Sequence, residues 1–338
     1  MQTTGPEHQA DRRADADGRQ NPEFETDNKL QVTGVSADSN DSVGKEVGAA
    51  GQITSLVRSP SAETFLPSHR VLRPEGGASH PTGRLFLLHG FFGSGRNWSA
   101  IARGVLRTRP DWEAVLVDLR LHGDSGAAPP PHTVEACADD VARLALSLPA
   151  NGGPSALLGH SFGGKVALIA SDRITRPCVQ AWVIDSTPSA GVTGAGAREM
   201  MRLLGEVPGP FFSRRDGADA IEAGGFPRFV AEWMATNLVR IADGYAWRFD
   251  VQALDALLRD FFSVDLWKRV EQPPDGCEYR FVRASDGSIM SAGDTARIER
   301  LESEGNPVHL DTLEGGHWLS VDNPGGLISL LRKGLPRV

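Results

Sequence analysis

Ser155-Ala-Leu-Leu-Gly-His-Ser-Phe-Gly-Gly-Lys-Val-Ala-Leu-Ile-Ala170 is the stretch on which the fold turns. A short apolar run ends in Gly159-His-Ser-Phe-Gly163, a G-x-S-x-G pattern, and a helix-forming apolar run follows. A strand that feeds a sharp turn, which then opens a helix, lifts a serine to the apex of a strained backbone. The residues two before and two after it must be small for the turn to close. Ser161 is therefore the candidate nucleophile. Strand, turn and helix together raise this pattern above a chance match.

Outward from there, short apolar runs alternate with helical patterns, the signature of βαβ units and a mostly parallel sheet. Strands are expected at 84–89, 113–118, 155–159, 179–185, 279–284 and 308–313, and helices near 97–108, 133–148, 163–173, 291–304 and 324–333. Between Asp185 and Tyr279 no convincing strand is visible, but helical patterns recur at 229–238 and 251–258. A compact domain does not carry a structureless loop of that length. The reading is a helical cap at 187–271, inserted into an α/β core formed by 59–186 and 272–338.

Residues 1–58 are polar and acidic, with Phe24 their only aromatic. Such a composition buries too little to offset its ordering entropy, so a disordered tail is expected. The whole chain has 338 residues, 40% of them apolar and 23% charged, the mixture of a globular protein able to fill a core. Its net charge of -8 comes with no long Lys/Arg run, which argues against a nucleic-acid surface. Cys137, Cys178 and Cys277 are too few and too scattered for a disulfide framework or a zinc site. No metal constellation is expected. No stretch of roughly 18 apolar residues suggests a membrane span. The N-terminus lacks the apolar core of a secretory signal, and its acids are unlike a transit peptide. An intracellular, cytoplasmic location is the default expectation, with mitochondrion or plastid left open.

Ser161 needs a base. Where such an elbow carries the serine, the acid and the histidine follow it in chain order. Only His309 and His317 lie beyond Ser161. His309 sits inside a predicted strand, whereas His317 sits in the loop after it, where a base reaches the active edge of the sheet. His317 is the candidate base. The acid must orient it and stabilise the imidazolium. Asp185 ends one strand and Asp286 follows the next, and spacing does not separate them. Developing negative charge needs backbone N–H donors. Phe162, directly after the nucleophile, supplies one, and Phe91 in the turn His89-Gly-Phe-Phe-Gly93 supplies the other. His89, Gly90, His160 and Trp318 border these motifs and are the candidate substrate-binding residues. Phe211, Phe212, Phe226, Phe229, Trp233, Trp247, Phe261 and Phe262 give the cap many aromatics, most of them expected in its own core.

These residues resemble the α/β-hydrolase superfamily, in the branch of small serine hydrolases of the abhydrolase-domain-11 type and the bacterial acyl esterases related to it. The closest likeness is to plant and algal members. The likeness covers about 80–335. It rests on His89-Gly-Phe-Phe-Gly-Ser-Gly-Arg-Asn-Trp98, Asp118-Leu-Arg-Leu-His-Gly-Asp-Ser125, Pro131-His-Thr-Val134 and the segment around Ser161. It continues in Ala181-Trp-Val-Ile-Asp-Ser-Thr-Pro188, Trp233-Met-Ala-Thr-Asn-Leu238 and Gly316-His-Trp-Leu-Ser-Val-Asp-Asn-Pro324. It implies an eight-stranded sheet, a helical lid after the sixth strand and hydrolysis of a small-molecule acyl ester without a cofactor. Members of this branch carry an Asp where Asp185 stands, which ranks Asp185 first and Asp286 second. A thioesterase, a carbon–carbon hydrolase and a non-catalytic binding protein are the rival readings. Few residues before Arg84 are left for the first strands, so 64–66 and His69-Arg-Val-Leu72 are expected to form a short edge hairpin.

Overall fold

The computed structural model describes residues 65–75, 81–191 and 195–338, so the tail expected at 1–58 lies outside the described residues. The strands are β1 His69–Leu72, β2 Gly83–Leu88, β3 Trp112–Val117, β4 Ser155–His160, β5 Cys178–Ile184, β6 Leu238–Ile241, β7 Gly244–Trp247, β8 Glu278–Ala284 and β9 Val308–Leu313. The helices are α1 Ser99–Leu106, α2 Val134–Ser147, α3 Phe162–Ala170, α4 Ala195–Glu206, α5 Arg214–Ala223, α6 Arg228–Ala235, α7 Val251–Ser263, α8 Trp267–Glu271, α9 Ala292–Ser303, α10 Leu319–Asp322 and α11 Pro324–Gly334.

Seven strands form one sheet in the order β1-β3-β2-β4-β5-β8-β9, parallel except for β1. The near-continuous apolar strands follow from burial on both faces. Along β2, Leu85 and Leu87 face a core shared with Trp98, Ile101, Leu327 and Leu331 of the α1 and α11 side. Phe86 and Leu88 face the other core, with Val141, Val166 and Ile298 from α2, α3 and α9. Local signals set the helix ends. Thr133 Oγ1 accepts from the Ala136 amide to start α2, and Ser291 and Asp294 form a capping box at α9.

The sheet has seven strands among the described residues, not eight, and the expected edge hairpin does not form. Residues 65–68 are not a strand; His69–Leu72 pairs alone, antiparallel to β3. The segment between β5 and β8 also differs from an all-helical cap. It holds α4 to α8, but β6 and β7 pair antiparallel across a two-residue turn. The helix ends at Ala235, and Leu238-Val-Arg-Ile241 then pairs with Gly244–Trp247 around the turn Ala242-Asp243, where Gly244 takes φ 129°. Here this segment is called the cap. Its α7 packs on α2, and its α8 on α3. Among the described residues, no helix is long and apolar enough to cross a membrane.

Candidate active site

Parallel strands bring the C-terminal ends of β2, β4, β5, β8 and β9 to one edge, and the site is built there. Ser161 leaves β4 with φ 51° and ψ -114° and opens α3. This left-handed non-glycine backbone is held by the Ser161 N–H on Ile184 O at 3.0 Å and the Gly164 N–H on Ser161 O at 2.9 Å. The two flanking glycines are steric necessities. A Cβ on Gly159 would stand 1.9 Å from Gly163 O, and one on Gly163 would stand 2.5 Å from Leu88 O. The serine itself is half-buried.

His317 lies in the loop after β9, and its Nδ1 donates to Asp185 Oδ2 at 2.7 Å. Asp185 is fully buried, with φ 39° at the turn out of β5. Its Oδ1 accepts from Ser288 Oγ at 2.5 Å and from the Ala284 amide at 3.0 Å. Burial alone would raise its pKa, but the hydrogen bonds from His317, Ser288 and Ala284 outweigh it and hold the carboxyl below its ordinary value. Asp286, the other candidate acid, is exposed. Its backbone N–H bonds Gly315 O at 3.0 Å, and its carboxylate makes no hydrogen bond to His317. The Asp185 carboxylate is buried on the Ala284 amide, Ser288 and His317, whereas Asp286 is exposed in the turn after β8.

The loop of the candidate base is fastened to the residue before the candidate nucleophile. His160 Nε2 donates to His317 O at 2.7 Å, and the two rings stand 4.6 Å apart. Desolvation, with His317 beside it, lowers the His160 pKa to about 3. His160 therefore ties two loops together rather than facing a substrate. His89 is likewise turned inward, contrary to its expected substrate contact. Its Nε2 accepts from the Leu119 amide at 2.9 Å and its Nδ1 donates to Gly90 O at 2.8 Å, which uses both ring nitrogens. Burial brings it to about 4. Gly90 does reach the elbow, since a Cβ there would lie 2.8 Å from His160 Nδ1 and 3.5 Å from Ser161 Cβ.

The expected oxyanion pair is contiguous. The Phe91 and Phe162 rings meet edge to face at 5.2 Å. Phe162 is the first residue of α3, where a backbone N–H has no intrahelical acceptor. The Gly93 N–H closes the 90–93 turn on Gly90 O at 3.0 Å. His122 fills the space behind both rings, 5.2 Å from Phe91 and stacked on Phe162 at 5.9 Å. It is fully buried and held by Nδ1 donating to Arg120 O, and desolvation takes its pKa to about 3.

Trp318, half-buried, follows His317. Its ring is 6.4 Å from that of His317, 5.7 Å from Phe229 and 5.8 Å from Trp233, both on α6. The other cap aromatics go elsewhere. Trp247, Phe261 and Phe262 are buried, Phe211 and Phe226 pack on the core cluster, and Phe212 is exposed. Four polar residues escaped the sequence reading: Ser288 under Asp185, Asn237, Lys165 and Asp294. Asp294 accepts from Thr187 and Ser189 at the start of the cap. Asn237 and Lys165 stood inside the quoted motifs, and a buried polar residue in an apolar run was the available signal. Among the described residues, no group of three or more His, Cys, Asp or Glu is placed to hold a metal ion.

A model of the alpha/beta hydrolase family matches residues 85–330. The chain is 26% identical to the sn-1-specific diacylglycerol lipase ABHD11 of Danio rerio, over 72% of this chain and 76% of that protein. It is 27% identical to lipase LipV of Mycobacterium tuberculosis, over 77% of this chain and 95% of the relative. Among solved structures, a marine microorganism esterase superposes with a TM-score of 0.65 at 22% identity, covering 80% of this chain and all of that one.

Proposed function

The chain belongs to the alpha/beta hydrolase family, and on that premise we propose that it hydrolyses a carboxylic ester through an acyl-enzyme on Ser161. His317 takes the Ser161 proton as Oγ attacks the ester carbonyl. Asp185 fixes the tautomer of His317 and stabilises the imidazolium. The Phe91 and Phe162 amides hold the oxyanion of the tetrahedral intermediate. Collapse breaks the acyl–oxygen bond, and the departing alcohol leaves with the proton from His317. Water then attacks the acyl-enzyme, giving its proton to His317, and collapse breaks the acyl–Oγ bond as His317 returns the proton to Ser161 Oγ and the carboxylic acid departs. The scheme uses no cofactor. Trp318, with Phe229 and Trp233, borders the acyl or alcohol chain.

One observation carries the reading. The His317 that donates to buried Asp185 is held through its own carbonyl by His160, the residue before Ser161. The relatives named as lipases support ester as the substrate class. The test is fluorophosphonate labelling of wild type, Ser161→Ala and His317→Ala beside turnover of a p-nitrophenyl ester series. Labelling and turnover that need both residues are expected. Wild-type turnover in Ser161→Ala would end the scheme, and a folded wild type that neither labels nor turns over would point to a ligand-binding role.

A further inference from the structure

Among the side-chain hydrogen bonds that join cap and core, four fall on the two arms that carry the proposed oxyanion donors. One arm is the 89–93 turn. Asn237, buried between α6 and β6, donates from Nδ2 to Phe92 O at 3.0 Å. Phe92 has φ 63°, a left-handed conformation that a bulky residue keeps only when its surroundings hold it. The other arm is α3. Lys165, fully buried and three residues after Phe162, donates from Nζ to three cap carbonyls: Ser189 O at 2.9 Å, Phe261 O at 3.0 Å and Val264 O at 2.6 Å. Its three N–H donors are all used. Desolvation draws this ammonium down to about 8, against the pull of Asp265, Asp260 and Asp294, so it remains protonated at neutral pH.

Aromatic rings repeat the pattern. Phe249 of the cap meets Phe92 at 5.9 Å, Phe92 meets Phe91 at 5.1 Å, Phe91 meets Phe162 at 5.2 Å, and Phe162 meets Phe261 of the cap at 5.9 Å. The row begins and ends in the cap, with both oxyanion residues between. The two cap roots are also bonded to each other, the Gly191 N–H to Phe262 O at 2.7 Å and the Leu266 N–H to Pro188 O at 2.8 Å. The bracket is therefore closed behind Lys165.

We propose that the cap is a brace that sets the spacing of the Phe91 and Phe162 amides, with Asn237 and Lys165 as its positioning residues. The proposal rests on the serine-hydrolase reading above. A cap that only lined a substrate pocket would matter for long esters alone. A brace matters equally for an ester too small to reach the cap, and it matters in kcat, because the oxyanion forms only in the transition state.

The experiment compares wild type, Asn237→Ala and Lys165→Met on p-nitrophenyl acetate. Each preparation is normalised to the fraction that fluorophosphonate labels at completion, so misfolded protein is not counted. Affinity for a small trifluoromethyl ketone, which forms a tetrahedral adduct, is measured beside it. Per-site kcat should fall about tenfold with KM near wild type, less than outright loss of an oxyanion donor, and ketone affinity should fall in parallel. Lys165→Met leaves three carbonyls without a donor, so Asn237→Ala, which loses one bond, decides the matter if the other does not fold. A wild-type per-site kcat in Asn237→Ala, or a fall in kcat with unchanged ketone affinity, would overturn the brace. Wild-type labelling that fails, or survives Ser161→Ala, would instead overturn the underlying reading.

Discussion

Asp185 Oδ2 accepts a 2.7 Å hydrogen bond from His317 Nδ1, across the sheet edge between the ends of β5 and β9. Asp286 makes no such bond, although it is far nearer to His317 in the chain.

That contrast sets the first prediction. Asp185→Asn should lower kcat about 10⁴-fold, because the amide favours the wrong imidazole tautomer. Asp286→Asn, an exposed change, should leave kcat/KM within about twofold. Steady-state rates on one ester separate the two, and equal losses would reassign the acid.

Ser288→Ala removes the 2.5 Å bond to Asp185 Oδ1 and leaves a buried carboxylate short of one donor. Turnover should drop about tenfold, the scale of one charge-assisted hydrogen bond, and the Asp185 pKa should rise. An unchanged kcat would show that His317 and the Ala284 and Ile289 amides hold the carboxylate without Ser288.

Gly163→Ala would place a methyl 2.5 Å from Leu88 O and 2.6 Å from His89 O, both backbone atoms with no room to yield. Destabilisation of at least about 3 kcal/mol is expected. Thermal unfolding checks it, and a melting temperature within a degree of wild type would contradict the elbow geometry.

Stability should fall steeply in acid. His89, His122 and His160 are held neutral by burial, at about 4, 3 and 3. Each would titrate near 6.5 in the unfolded chain, so unfolding takes up protons between pH 6.5 and about 4. The native state is fully favoured above 6.5 and loses ground as pH falls, by up to about 4 kcal/mol per pH unit if all three contribute. Urea unfolding at pH 7, 6 and 5 measures the slope. His122→Phe should reduce it by about a third, and parallel curves would exclude His122 as a contributor.

What could be read from the chain was set by local constraint. Gly159-His-Ser-Phe-Gly163 was legible because the turn's own backbone leaves no room for a Cβ at Gly159, and the central strands β2 to β5 because burial on both faces makes them mostly apolar. His317 as candidate base followed from chain order. The choice of candidate acid did not, because in sequence both are strand-end aspartates, and the burial and hydrogen bonds that set Asp185 apart are made by distant residues. The β6–β7 hairpin was hidden by a helical pattern running up to Leu238, although Gly244, directly after its turn, was a local signal. His89 looked like a site residue, yet its partner is a backbone amide thirty residues away, which no motif records.

The place where the cap is inserted also has a kinetic meaning. Neighbouring strands β5 and β8 are separated in the chain by residues 185–277, so their pairing closes a long loop. Asp185 depends on that closure twice, through its own N–H on Val282 O and through the Ala284 amide on its carboxylate. A refolding chain can assemble β1 to β5 with α1 to α3 before the Asp185 carboxylate has these partners. On the proposed triad, turnover is expected to return later than secondary structure during refolding, which ester hydrolysis followed beside circular dichroism would check.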